Sequence, residues 1–127
     1  MPGSVIVSSA RTPIGRLSGA LSALMVTLEV QPLPDLPSEA ATAFHRDFLP
    51  HAEALLAGGA PSLTLIFAAA DHTHRIWRLA AVQALAREHT PARVNGLAGS
   101  TAVSIAATLA FLEAAEGVTG QYLPLDD

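Results

Sequence analysis

Apolar residues recur along this chain with two periods, and the period changes mark the elements. Ser4–Ser8 (SVIVS) and Val26–Val30 carry β-branched residues with alternation and read as strands. Between them, Arg11 to Gly15 is punctuated like a turn, and Leu17–Leu24 is small and apolar, as in a short helix. Pro32, Pro34 and Pro37 interrupt the chain after the second strand. A helix is expected from Ser38, whose hydroxyl can cap free N–H groups, with Ala40, Phe44 and Phe48 recurring on one face. Pro50 lacks an N–H, so this helix should kink or restart there, and Gly58-Gly59 ends it. Leu63–Ala70 is an unbroken apolar run of strand length, which suits a buried parallel strand.

Thr73 is the expected cap of a second helix reaching about His89, with Ile76, Leu79, Val82 and Leu85 near one face. Ala92–Leu97 follows Pro91 as a short strand. Ser100 or Thr101 opens a third helix ending near Gly117, with Val103, Ala106, Ala110 and Leu112 turned inward. Gln121–Leu125 is the last strand. Strands alternating with helices predict an α/β domain, of two or three layers. Its mainly parallel sheet should have about four or five strands, with about three main helices. Leu28, Leu65, Ile66, Phe67, Val94 and Leu123 are its expected core.

Composition narrows the function classes. A chain of 127 residues holds one modest core, and 50% hydrophobic with 14% charged residues argues against disorder. The net charge is −4 and all seven positive charges are arginines, with no basic stripe, so nucleic acid is not an expected partner. No unbroken run of about 18 apolar residues suggests a membrane span. The N-terminus lacks a basic segment followed by an apolar core, so a cytoplasmic location is expected. Cysteine is absent, which excludes disulfides, thiolate metal sites and cysteine nucleophiles within the chain.

Few side chains form a recognisable constellation. Asp71, His72 and His74 cluster at a strand-to-helix junction, but helix neighbours two apart do not share a face. Capping and solvation at a helix start explain them without a metal, and no metal site is assigned. Arg75, Arg78 and Glu88 are read as a solvated helix face. Trp77, the only tryptophan, fits a core or an interface equally.

Ala84-Leu85-Ala86-Arg87-Glu88 followed by Ala92-Arg93-Val94-Asn95, and the closing Val118-Thr119-Gly120-Gln121-Tyr122 to Asp126, resemble the C-terminal half of a short-chain dehydrogenase/reductase. The resemblance covers about residues 38–127 and implies a Rossmann-like fold. In that family a Tyr-x-x-x-Lys lies on the helix ending in the LARE-like segment. Counting back from Glu88 places Asp71 at the tyrosine position and Arg75 at the lysine position. Tyrosine serves as a proton donor, whereas an aspartate is normally ionised and an arginine is no equivalent of the lysine. The family's Pro-Gly after its RVN strand aligns with Gly99-Ser100. No glycine-rich turn of dinucleotide-binding spacing is present, so no cofactor is expected.

The opening Val5-Ile6-Val7-Ser8-Ser9-Ala10-Arg11-Thr12-Pro13-Ile14-Gly15-Arg16 is similar to the start of a thiolase, an acetyl-CoA acetyltransferase. Thiolases depend on cysteines that this chain does not have. The expected organisation is a thiolase-like strand and loop over residues 1–24, then a truncated Rossmann-like domain over 25–127. The two resemblances imply a non-catalytic accessory or oligomerisation module, with a link to acyl-CoA or fatty-acid metabolism. A thiolase fragment or fusion, or a reductase piece completed by a partner chain, is the alternative. The expected partner is a second copy or a related full-length reductase. Phe44, Phe48 and Trp77 are the interface candidates, on helices that pair in the resembling family's dimer.

Overall fold

In the computed structural model, residues 25–125 are described. Four parallel strands form one sheet in the order β1 (Val26–Glu29), β2 (Ser62–Ala68), β3 (Arg93–Gly99) and β4 (Tyr122–Pro124). Helices α1 (Pro37–Asp47) and α2 (Leu49–Ala57) join β1 to β2. A short 3-10 turn at His72–His74 leads into α3 (Arg75–Glu88), which joins β2 to β3. Helix α4 (Ala102–Ala114) joins β3 to β4. The expected α/β alternation and parallel sheet are therefore observed. The strand expected at Ser4–Ser8 and the short helix at Leu17–Leu24 lie outside the described residues.

Side chains alternate between the faces of a strand, so the register sorts the sheet into two surfaces. Val26, Leu28, Leu63, Leu65, Phe67, Val94, Gly96, Ala98 and Tyr122 share one face. Phe44, Ala52, Leu56, Ala81, Val82 and Leu85 of α1, α2 and α3 pack against it and form the main core. The other face carries Thr64, Ile66, Arg93, Asn95, Leu97 and Leu123, and α4 covers it, with Leu97 and Leu112 fully buried. Arg93 fastens α4 by donating through Nη1 to the carbonyls of Leu112 at 3.0 Å and Ala115 at 2.7 Å. Leu112 O is among the carbonyls that a helix end leaves without intrahelical partners, and Ala115 O also accepts from Val118 N–H at 3.0 Å. Asn95 ties the next loop, donating to Val118 O at 2.9 Å and accepting from Gln121 N–H at 3.1 Å.

The crossovers from β2 to β3 and from β3 to β4 step across the sheet in the same direction but on opposite faces. They therefore have opposite hands, although about 98% of parallel crossovers are right-handed. The result is three layers, with helices above and below a short sheet.

Local details depart from the sequence expectation. Helix α1 opens at Pro37, not at Ser38, with Leu36 as its cap, whose carbonyl accepts from Ala40 N–H at 2.8 Å without a side-chain bond. Proline suits the first helical turn because its missing N–H would have no helical partner there. The break between α1 and α2 falls at Phe48, which places Pro50 in the first turn of α2 for the same reason. Asp71, rather than Thr73, caps the 3-10 turn. Thr101 caps α4 as expected, its hydroxyl accepting from Ser104 N–H at 3.3 Å.

On α3, Val82 and Leu85 are buried as expected, but Ile76 is 81% exposed and Arg78 only 4% exposed. On α4, only Leu112 is buried, and Val103, Ala106 and Ala110 are exposed. That helix is apolar all round, so its pattern carries no direction. Of the expected core, Leu65, Phe67 and Val94 are buried. Leu28, Ile66 and Leu123 are half-buried, because they lie on edge strands or on the face that α4 alone covers.

Candidate functional site

All four strands point the same way, so their carboxyl ends line one edge of the sheet. Open parallel sheets bind ligands at that edge. Here the edge is built from the residues after β2, the first turn of α3, the N-terminus of α4 and the end of β4. Asp71 follows β2 in extended backbone. Its carboxylate accepts from Thr73 N–H at 3.0 Å and from the Thr73 hydroxyl. The hydroxyl hydrogen bond first, and the backbone one second, hold the Asp71 carboxyl below its ordinary pKa. Asp71 is thus an ionised cap committed to Thr73, without a proton to give.

Arg75 is exposed at the first position of α3. It borders a shallow cleft of about 510 Å³, whose other walls include Thr108 and Phe111 of α4 and Tyr122 and Leu125 at the end of the chain. Asp71 and Arg75 therefore share a junction, as the counting from Glu88 requires, but they form no ion pair.

His74 is buried and both of its ring nitrogens are engaged. Trp77 Nε1 donates to His74 Nδ1 at 3.0 Å. Indole is only a donor, so Nδ1 accepts and Nε2 carries the proton, donating to Asp35 O at 2.9 Å. This histidine pins the segment before α1 to the start of α3, and has no lone pair left for a metal. His72 is exposed beside it.

Beneath this edge lies a group that sequence patterning did not reveal. Arg78, expected on a solvated face, points into the core and donates to Ala68 O and to the Tyr122 hydroxyl, each at 3.0 Å. Its guanidinium carbon stands 4.6 Å from the centre of the Phe67 ring. Tyr122, the only tyrosine, is thereby a buried acceptor on β4. The interface candidates are also placed. Phe44 is fully buried within the chain's own core, with Phe67 and Trp77 rings at 5.6 Å, so it is not a surface contact. Phe48 and Trp77 are half-buried against that core.

A parallel sheet with helices on both faces defines a Rossmann-like α/β domain, and the cleft beside Arg75 runs along its outer strand β4. The model of the SDR-like family, short chain dehydrogenase-like protein, matches residues 28–125, and the chain belongs to that family. No curated protein and no solved structure matches it.

Such a fold implies a nicotinamide dinucleotide, and the strand-to-helix turns among the described residues do not fit one. The turn from β1 to α1 holds Pro32, Pro34 and Pro37, which lack N–H groups, and the Asp35 carbonyl there is taken by His74. After β2 stands the ionised Asp71, which repels phosphate. After β3 a single Gly99 precedes the capped Thr101. None of these turns offers the glycine-rich approach that a pyrophosphate needs. Gly58-Gly59 is a helix stop, with Gly59 at φ 102°.

Proposed function

We propose that this chain is a non-catalytic short-chain-reductase-like module with an accessory or oligomerisation role. One observation carries the reading. At the position of the family's proton-donating tyrosine stands Asp71, ionised and engaged by both the hydroxyl and the N–H of Thr73. The same hydrogen bonds that keep it charged also weaken it as a base. Arg75, at the lysine position by the count from Glu88, is no equivalent of the lysine, and Asp71 offers no phenol for it to tune. The thiolase-like residues 1–24 support a setting in acyl-CoA or fatty-acid metabolism.

The partner is a second copy or a related full-length reductase. With Phe44 buried in the chain's own core, the exposed apolar side chains of the same helical layer, Leu55 on α2 and Ile76 on α3, support a contact there. The test of the non-catalytic reading is titration of the full chain with NADH and NADPH, read by calorimetry and nucleotide fluorescence. No saturable response is expected. Stoichiometric binding tighter than about 100 μM, roughly −5.5 kcal/mol, would overturn the reading.

A further inference from the structure

Helix α3 runs antiparallel to the strands, so its C-terminus lies at the amino edge of the sheet, opposite the edge that holds Asp71. There it meets α2. Core burial fixes both helices, through Ala52 and Leu56 on α2 and through Val82 and Leu85 on α3. Glu53 lies on the exposed side of α2, Glu88 is the last residue of α3, and His89 closes that helix. One carboxylate oxygen from each glutamate and one imidazole nitrogen of His89 all lie within 4.8 Å of one another.

The arrangement is charged in one sense only. Two carboxylates converge, yet among the described residues none of the three side chains has a hydrogen-bond or ion-pair partner, and the ion pair found there joins Arg46 to Asp47 elsewhere. The C-terminal carbonyls of α3 add negative partial charge at the same spot. The backbone of His89 is held on both sides, its N–H donating to Leu85 O at 3.1 Å and its carbonyl accepting from Ala92 N–H at 2.9 Å. An imidazole nitrogen with two carboxylate oxygens is a donor set for zinc and its first-row neighbours, unlike the all-oxygen sets of calcium and magnesium. Tetrahedral zinc with bonds of about 2.1 Å separates its ligands by roughly 3.4 Å. The exposed glutamate side chains can close that difference by rotation.

We propose that Glu53, Glu88 and His89 bind one divalent transition-metal ion of the zinc class, with solvent completing its coordination, and that the ion ties α2 to α3. Glu88 and His89 are adjacent but Glu53 lies far upstream, so no ligand-spacing motif announces the site. The proposal stands apart from the non-catalytic reading, because the group is at the other edge of the sheet from Asp71.

The test uses the full chain, stripped of metal, titrated with zinc chloride by calorimetry and with cobalt chloride by visible absorption. One equivalent of each is expected, with a rise in melting temperature on zinc addition. Glu53→Gln and His89→Ala should each weaken zinc binding at least about tenfold, as loss of a ligand from a three-ligand site requires. His51→Ala, on an exposed histidine of α2 outside the group, should leave it unchanged. Circular dichroism of the metal-free variants verifies the fold, and Glu88→Gln replaces any variant that fails it. Absence of saturable one-to-one binding below about 100 μM overturns the proposal. So does binding that His89→Ala spares, or magnesium binding as tight as zinc.

Discussion

Arg78 donates through Nη1 to the Tyr122 hydroxyl at 3.0 Å inside the helix-packed face of the sheet. Its Nε has no partner among the described residues. No carboxylate among them balances the charge. Its burial is offset by the pair of acceptors, Ala68 O and Tyr122, and by the rings of Phe67, Trp77 and Tyr122 around the guanidinium.

Tyr122→Phe keeps the ring and removes one acceptor from a buried cation. It is expected to destabilise the protein by about 1.5–3 kcal/mol in urea unfolding. Arg78→Met removes the buried charge at similar volume but leaves Ala68 O and the Tyr122 hydroxyl without their donor, and is expected to cost about 1–3 kcal/mol. With Met at position 78, Tyr122→Phe should then lose most of its effect. Additive single and double variants would show that the two residues do not interact.

At Gly96 the side chain of Val82 on α3 packs close over the sheet. A Cβ there would lie 3.0 Å from Val82 Cγ2 and 3.4 Å from Phe67 Cε2. Gly96→Ala is expected to cost about 1–3 kcal/mol through overpacking. Adding Val82→Ala should recover part of that loss, since the nearest atom is then gone. Equal stability of Gly96→Ala and the parent protein in denaturant titration would contradict the packing.

The β2 run was legible because it is a largely apolar segment of strand length, and the helix breaks because proline and glycine act locally. Helix facing was legible only in part: Ala40 and Phe44 on α1, and Val82 and Leu85 on α3, are buried as their spacing implies. Ile76 reads as core by spacing, yet it points to solvent, while Arg78 turns inward to acceptors supplied by β2 and β4. That environment exists only once strands distant in sequence are paired. The apolar residues of α4 surround the helix and give no preferred side. At the carboxyl edge, Asp71 and Arg75 sit on a continuous path into α3, with Asp71 ahead of the helix and Arg75 at its start. The clamp of Asp35, His74 and Trp77 spans two elements and left no trace in spacing.

Asp71 gives a signed pH dependence. Its pKa is lower in the folded protein than in the unfolded chain, so it binds a proton more readily when unfolded. Its contribution to stability is present above the ordinary aspartate pKa and is lost as pH falls through and below that value. Thr73→Val removes the hydroxyl donor, the larger cause, and should move the Asp71 carboxyl back toward its ordinary value. Carbon-13 NMR titration of the carboxyl group reads this directly. An unchanged titration in Thr73→Val would remove the basis for calling Asp71 a committed cap.

Ile76 and Trp77 are neighbours on α3 with opposite fates, and that separates an interface from a core. Ile76 is 81% exposed, so Ile76→Asp loses almost no internal contact and should change monomer stability by less than about 0.5 kcal/mol. Trp77 packs against Phe44 and Phe67, with ring centroids at 5.6 and 5.8 Å, and its indole N–H is bound to His74. Trp77→Asp places a charge against these rings and leaves His74 Nδ1 without its donor. A loss of about 3–5 kcal/mol is expected, of the order seen when a buried aromatic is removed. If the chain self-associates through this layer, light scattering should show Ile76→Asp shifting a dimer to monomer while its unfolding midpoint stays near that of the parent. Trp77→Asp should lower the midpoint whether or not the protein associates. A parent protein that is monomeric at about 100 μM would remove the self-association. A dimer that survives Ile76→Asp would move the contact away from α3.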